Sequence, residues 1–169
     1  RHGTFQSGHQ YDTVLGWKMS ENYHRKTRVI YDFLKRPYER SIETNELGSR
    51  LWATRPGKPK VLFLGDSFTE ASDVSNDKTY YAVFNQLTDY DVYAYGVDGY
   101  GTFQELLAFQ RLAPIVKPDV VVLQFCSNDF VNNSYDLESS SIVFDQKTRP
   151  YWINGNTVYR WRAWHPFPL

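Results

Sequence analysis

Four apolar residues run into a glycine, an acid and a hydroxyl in Val61-Leu62-Phe63-Leu64-Gly65-Asp66-Ser67. A serine at the end of a buried strand can attack an ester carbonyl if a base takes its proton and amide donors receive the charge that develops on oxygen. The same residue types suit a plain structural role, since a serine at the start of a helix caps it. Gly65 permits the sharp turn, and Asp66, directly before the hydroxyl, is read as bracing it. Two later loops carry compatible chemistry: Gly96-Val97-Asp98-Gly99-Tyr100-Gly101 and Cys126-Ser127-Asn128-Asp129. Gly99 can offer a main-chain amide and Asn128 a side-chain amide. Asp129 is read as a structural acceptor of backbone hydrogen bonds.

These loops need elements to position them. Residues 61–64 show no alternating polar face, which predicts a strand covered on both sides, as in a parallel sheet flanked by helices. Asp91-Val92-Tyr93-Ala94-Tyr95 and Asp119-Val120-Val121-Val122-Leu123-Gln124-Phe125 read as two more strands. Between the first two, Asp77 is expected to cap a helix that turns Tyr80, Tyr81, Val83, Phe84 and Leu87 inward. Between the second and third, a helix starting near Thr102 carries Phe103, Leu106, Leu107 and Ala108; Pro114 disturbs its end before Pro118 opens the next strand. Such alternation predicts a doubly wound α/β domain with right-handed crossovers. Ligands of open parallel sheets gather at the carboxyl ends of the strands, where all three loops would then lie.

On these residues the chain resembles the SGNH (GDSL) hydrolase family. Gly65-Asp66-Ser67-Phe68-Thr69 is similar to its first block, Gly96 to Gly101 to its second and Cys126-Ser127-Asn128-Asp129 to its third, over roughly residues 58–131. The resemblance implies a three-layer α/β/α flavodoxin-like fold with a parallel central sheet. It further implies a serine esterase acting on short-chain acyl esters, among them O-acetyl groups on carbohydrate, through an acyl-enzyme. Ser67 would be the nucleophile, and the amides of Ser67 and Gly99 with the Asn128 carboxamide would form the oxyanion hole. No cofactor or metal is implied. An O-acyltransferase on the same fold, or a noncatalytic carbohydrate-binding relative, carries the same features. Two positions depart from the pattern. Cys126 stands where the third block usually opens with glycine. The fourth block, an aspartate three residues before a histidine, is not visible, because Arg162 occupies the aspartate's place before His165. His165 is therefore read as a loop residue, with the base expected beyond Leu169 and the sheet incomplete at its carboxyl end.

The remaining sequence is read as accessory to this core. Residues 1–57 form a β-rich lead-in packed on it, with apolar pieces at Val14-Leu15-Gly16-Trp17, Val29-Ile30-Tyr31 and Ser41-Ile42. Residues 58–169 form the partial hydrolase domain. Within it, residues 140–160 are read as a β insertion built from Ile142-Val143-Phe144, Tyr151-Trp152-Ile153 and a hairpin turn at Asn154-Gly155. Arg50 could hydrogen-bond a substrate oxygen, but a structural role is favoured. The 13 tyrosines, 11 phenylalanines and 5 tryptophans are expected mostly to pack these segments onto the core, with a few left for binding.

Composition narrows the partners. Nineteen basic and nineteen acidic side chains cancel, which points away from nucleic acid and acidic membranes. One cysteine excludes an internal disulfide framework and a multi-cysteine zinc site. No apolar run reaches the roughly 20 residues needed to span a bilayer, so a soluble domain is expected, extracytoplasmic if a signal peptide precedes Arg1. The second glycine loop reads G-x-x-G-x-G rather than G-x-G-x-x-G, and neither loop is followed by a Walker lysine, which disfavours a nucleotide site. The first block also lacks the second glycine of G-x-S-x-G.

Overall fold

Two antiparallel hairpins open the chain: β1 (His9–Asp12) with β2 (Gly16–Met19), and β3 (His24–Tyr31) with β4 (Arg36–Glu43). The computed structural model describes residues 8–31, 36–141 and 148–160, with only the backbone of 29–31 and 36. The strand expected at Ile142-Val143-Phe144, and Arg162 and His165, lie outside the described residues. The first hairpin turns where the Asp12 carboxylate accepts the amides of Val14 and Leu15 at 2.9 and 2.8 Å. Leu15, Trp17 and Met19 then point into the core.

After β5 (Leu51–Trp52), the chain alternates through β6 (Lys60–Gly65), α1 (Ser67–Glu70), α2 (Tyr80–Leu87), β7 (Asp91–Gly96), α3 (Thr102–Val116) and β8 (Val120–Gln124). The sheet order is β5-β7-β6-β8. β6 runs parallel to both neighbours, while β5 is antiparallel to β7, so the sheet is mixed rather than wholly parallel. Because successive side chains on a strand point to opposite faces, the apolar runs divide in two. Leu62, Leu64, Tyr93 and Tyr95 pack with Ala108, Leu112 and Val116 of α3 and with the lead-in residues Leu15, Trp17 and Met19. Val61, Phe63, Val92 and Ala94 pack with Tyr81 and Ala82 of α2. The chain leaves β6 toward β7 and then crosses back over it to β8; right-handed crossovers in opposite directions place their helices on opposite faces.

Several local expectations are corrected. Thr79, not Asp77, caps α2, its hydroxyl accepting the Ala82 amide at 3.3 Å, while Asp77 sits in a single 3-10 turn. Tyr81 and Ala82 form the fully buried part of α2, whereas Leu87 is 79% exposed. In α3 the helix runs through Pro114 to Val116, and its buried face carries the polar Gln104 and Glu105 with Ala108 and Leu112; Leu106 faces out. β6 and β7 are buried nearly throughout, but β8 is not. Among the described residues only β6 pairs with it, and Val120, Val121 and Leu123 are all more than 40% exposed.

Beyond β8 come α4 (Asp129–Asn132), α5 (Tyr135–Ser140) and the hairpin of β9 (Arg149–Ile153) with β10 (Asn156–Arg160). Asn154 and Gly155 turn this hairpin with φ of 49° and 78°, the left-handed pair that a two-residue connection demands. Buried Arg149 docks it: its guanidinium reaches Gln104 of α3, pairs with Glu138 at 2.8 Å and lies over the Trp17 ring at 4.8 Å. The lead-in is tied to α3 by the bidentate pair of Arg111 with Asp12, both contacts at 2.8 Å. Among the described residues many aromatic rings serve packing of this kind, such as Trp52 edge-on to Tyr93 at 4.6 Å, while others, Trp152 at 59% among them, stay exposed. No helix among the described residues is long and apolar enough to cross a membrane.

Candidate active site

The site begins where α1 folds back over the ends of β6 and β7. Gly65 and Gly96 are register partners there, and a Cβ on either would collide with α1: with the Thr69 hydroxyl from Gly65, with the Thr69–Glu70 backbone from Gly96. Absent side chains at both positions let the helix sit directly on the sheet edge. Asp66 is fully buried and caps α1, its carboxylate accepting the Phe68 amide at 3.0 Å. That carboxylate also accepts from Asn128 Nδ2 at 3.3 Å. The acid expected to brace the turn therefore ties the end of β6 to the loop after β8. Ser67 is the first residue of α1, half-buried, and its hydroxyl forms no hydrogen bond among the described residues.

Gly99 sits in the loop after β7 with φ of 76°, a conformation that strains any other residue. Three contacts fix this loop. Asp98 donates its amide to Glu70 Oε2 at 2.5 Å, its carbonyl accepts Trp17 Nε1 at 3.0 Å, and the Gly99 carbonyl accepts Asn132 Nδ2 at 2.9 Å. Asn132 lies one helical turn after Asn128. The third block is stiffened by buried Asp129, whose Oδ2 accepts the Cys126 amide at 3.3 Å and the Thr102 hydroxyl at 3.2 Å. Ser67 and Asn128 thus both adjoin Asp66, and Gly99 is bonded to the α4 turn that follows Asn128. They flank β6, the strand at which the winding direction reverses, where open α/β sheets hold their ligands.

Three residues outside the motifs prove to support this arrangement. Glu70 is buried on α1 and takes hydrogen bonds from both the Asp98 amide and His9 Nε2, the latter at 2.9 Å. Asn132 holds Gly99. Arg50 is buried rather than solvated and contacts no open surface; it donates to the carbonyls of Glu70, Ala71 and Val74 at 2.6, 2.5 and 2.9 Å and to Asn76 Oδ1 at 2.7 Å. It clamps the end of α1 opposite Ser67. Arg50→Met leaves these acceptors buried without a donor and is expected to cost about 3–5 kcal/mol of stability, read by urea unfolding. A loss under 1 kcal/mol would show that the clamp is dispensable. Only the spacing of Glu70, one turn after Ser67, and of Asn132, one turn after Asn128, hinted at these roles.

Of the histidines among the described residues, His9 bonds Glu70 and His24 pairs with Glu43 at 3.2 Å; neither bonds Ser67. The acids beneath the site are compressed. Glu105 of α3 is buried with neither oxygen hydrogen-bonded. Burial first, and then the carboxylates of Asp129 and Asp66, push it up to about 8. Asp129 is likewise raised, mainly by burial, against the opposing bonds from Cys126 and Thr102. At neutral pH Glu105 therefore keeps its proton in the fold and loses it on unfolding. The stability this proton confers is complete below the ordinary glutamate range and is lost as the pH rises through about 8. Wild-type stability is expected to fall by ~4 kcal/mol between pH 4 and 9 from this group, and Glu105→Gln to remove that slope in urea titrations at the two pH values.

The fold is that of an α/β protein whose Ser67, Gly99 and Asn128 stand in loops at the carboxyl edge of its sheet. The family model described as GDSL-like Lipase/Acylhydrolase matches residues 61–156, more than half of the chain, and the chain belongs to that family. Its activity is accordingly of the lipase/acylhydrolase type in the broad sense. No curated protein matches it.

Proposed function

We propose that the protein is a serine esterase of short-chain acyl esters, working through an acyl-enzyme on an SGNH-type three-layer fold. One observation carries this reading: buried Asp66 caps the helix that begins with Ser67 and simultaneously holds Asn128, so that strand ends 62 residues apart in sequence converge on one carboxylate. In this reading the Ser67 oxygen attacks the ester carbonyl and passes its proton to a base outside the described residues. The oxygen that gains charge is received by the amides of Ser67 and Gly99 and by Asn128 Nδ2. The alcohol leaves, and water releases the acid. Asp66 accepts only one of the two Asn128 amide hydrogens, which leaves the other for the substrate. Glu70 and Asn132 act as positioning residues for the Gly99 loop.

The test is hydrolysis of p-nitrophenyl acetate against p-nitrophenyl palmitate, with mass analysis of the peptide bearing Ser67 after rapid acid quench. The expected result is faster release from acetate and an acetyl adduct on Ser67. Turnover with the adduct on another residue overturns the assignment.

A further inference from the structure

An oxyanion donor at Gly99 needs its N–H held in one direction, and glycine does not fix that direction itself. Gly99 is the third residue of a turn closed by the Tyr100 amide on the Val97 carbonyl at 3.1 Å, and its φ of 76° is of the sign that a type II turn requires. The two commonest turn types, I and II, differ by reversal of the central peptide. Here that peptide joins Asp98 to Gly99. Glycine adopts φ of either sign, so sterics alone do not choose between the two orientations.

A residue of the lead-in makes the choice. A peptide unit is planar and trans, so the Asp98 carbonyl and the Gly99 N–H share one plane and point in opposite directions. The Asp98 carbonyl accepts Trp17 Nε1 at 3.0 Å. Holding the oxygen therefore aims the N–H, and a donor on the oxygen also polarises the amide and strengthens that N–H as a donor. The neighbouring peptides are pinned too, at the Asp98 amide by Glu70 at 2.5 Å and at the Gly99 carbonyl by Asn132 at 2.9 Å. Between them, the Gly99 N–H donates to no group among the described residues. Trp17 is itself firmly seated: it lies on β2, fully buried, its carbonyl accepts the Tyr100 hydroxyl at 2.5 Å, and the Arg149 guanidinium covers its ring at 4.8 Å. It precedes residue 61 and so stands outside the family match.

We propose that Trp17 is a positioning residue for ester hydrolysis: its indole N–H holds the Asp98–Gly99 peptide in the orientation that presents the Gly99 N–H to the oxyanion. This rests on the esterase reading, but the state of the peptide is measured without turnover. The full chain is prepared with Trp17→Phe and, separately, with Trp17 replaced by benzothienylalanine, which keeps the shape of the side chain and has sulfur in place of the N–H. Urea unfolding identifies the folded variant; the isostere fills the buried site that phenylalanine leaves partly empty. For p-nitrophenyl acetate, kcat is expected to fall about 10- to 100-fold with KM little changed, because the Gly99 donor is still present but no longer held. In ¹³C,¹⁵N-labelled protein the Asp98 carbonyl and Gly99 amide resonances are expected to shift. Met19→Ala is the control for loosened packing, since it truncates a buried neighbour on the same strand and keeps the indole. It is expected to lose stability and to retain kcat within about threefold. A fall in kcat for Met19→Ala equal to that of the Trp17 variant overturns the proposal. So does a folded Trp17 variant with wild-type kcat, or with both resonances unmoved. Failure of the esterase reading shows separately, as p-nitrophenyl acetate turnover that survives Ser67→Ala; the two resonances then still decide whether Trp17 holds the peptide.

Discussion

Ser67→Ala is expected to lower kcat/KM for p-nitrophenyl acetate by ~10³-fold or more, the loss typical when the nucleophile of an acyl-enzyme mechanism is removed. The substitution deletes one oxygen that makes no hydrogen bond among the described residues. It leaves the Asp66 cap on the Phe68 amide and the tie to Asn128 in place. Alanine is also a good helix former at the first position of α1. Stability should therefore change little while turnover collapses, and that separation is the informative result. Activity within tenfold of wild type would mean that another group attacks the ester. An equal loss of activity and folded protein would leave Ser67 as a structural residue, although Asp66 and not Ser67 caps α1.

Asn128→Ala carries the second large effect, a fall in kcat of about 100- to 1,000-fold with KM little changed, because a donor aimed at developing charge acts mainly in the transition state. The control is Asn128→Asp. It sets a second carboxylate against buried Asp66, from which Asn128 Nδ2 now lies 3.3 Å away, and so should be both inactive and less stable than the alanine variant. Steady-state kinetics with urea unfolding distinguishes the two terms. If Asn128→Ala raises KM and leaves kcat intact, the residue binds the ground state and is no oxyanion donor.

The regions legible in the chain were those governed by near-neighbour physics. An apolar run ending in Gly65-Asp66-Ser67 announced a covered strand and a turn, and Asn154-Gly155 announced a hairpin whose φ values only such residues adopt readily. Helix faces were less legible. Both Asp77 and Thr79 can cap α2, and only the 3-10 turn at Asn76–Lys78 decides for Thr79. On α3, no apolar period marks polar Gln104 and Glu105 as buried. The fold buries them because Gln104 meets the Leu15 carbonyl and Arg149, and because Glu105 can hold a proton.

Residue order by itself determined which hydroxyl and amide groups stand at strand ends, since a strand followed by glycine and small polar residues must expose them in a turn. Tertiary structure decided how they are held. The carboxylate joining Asp66 to Asn128, the Glu70 bridge from His9 to the Asp98 amide and the burial of Arg50 each link residues 20 or more positions apart. Nothing local selects such partners: a carboxylate or guanidinium is equally content in water, and it becomes an internal brace only when packing removes the water and supplies every bond that the water had made.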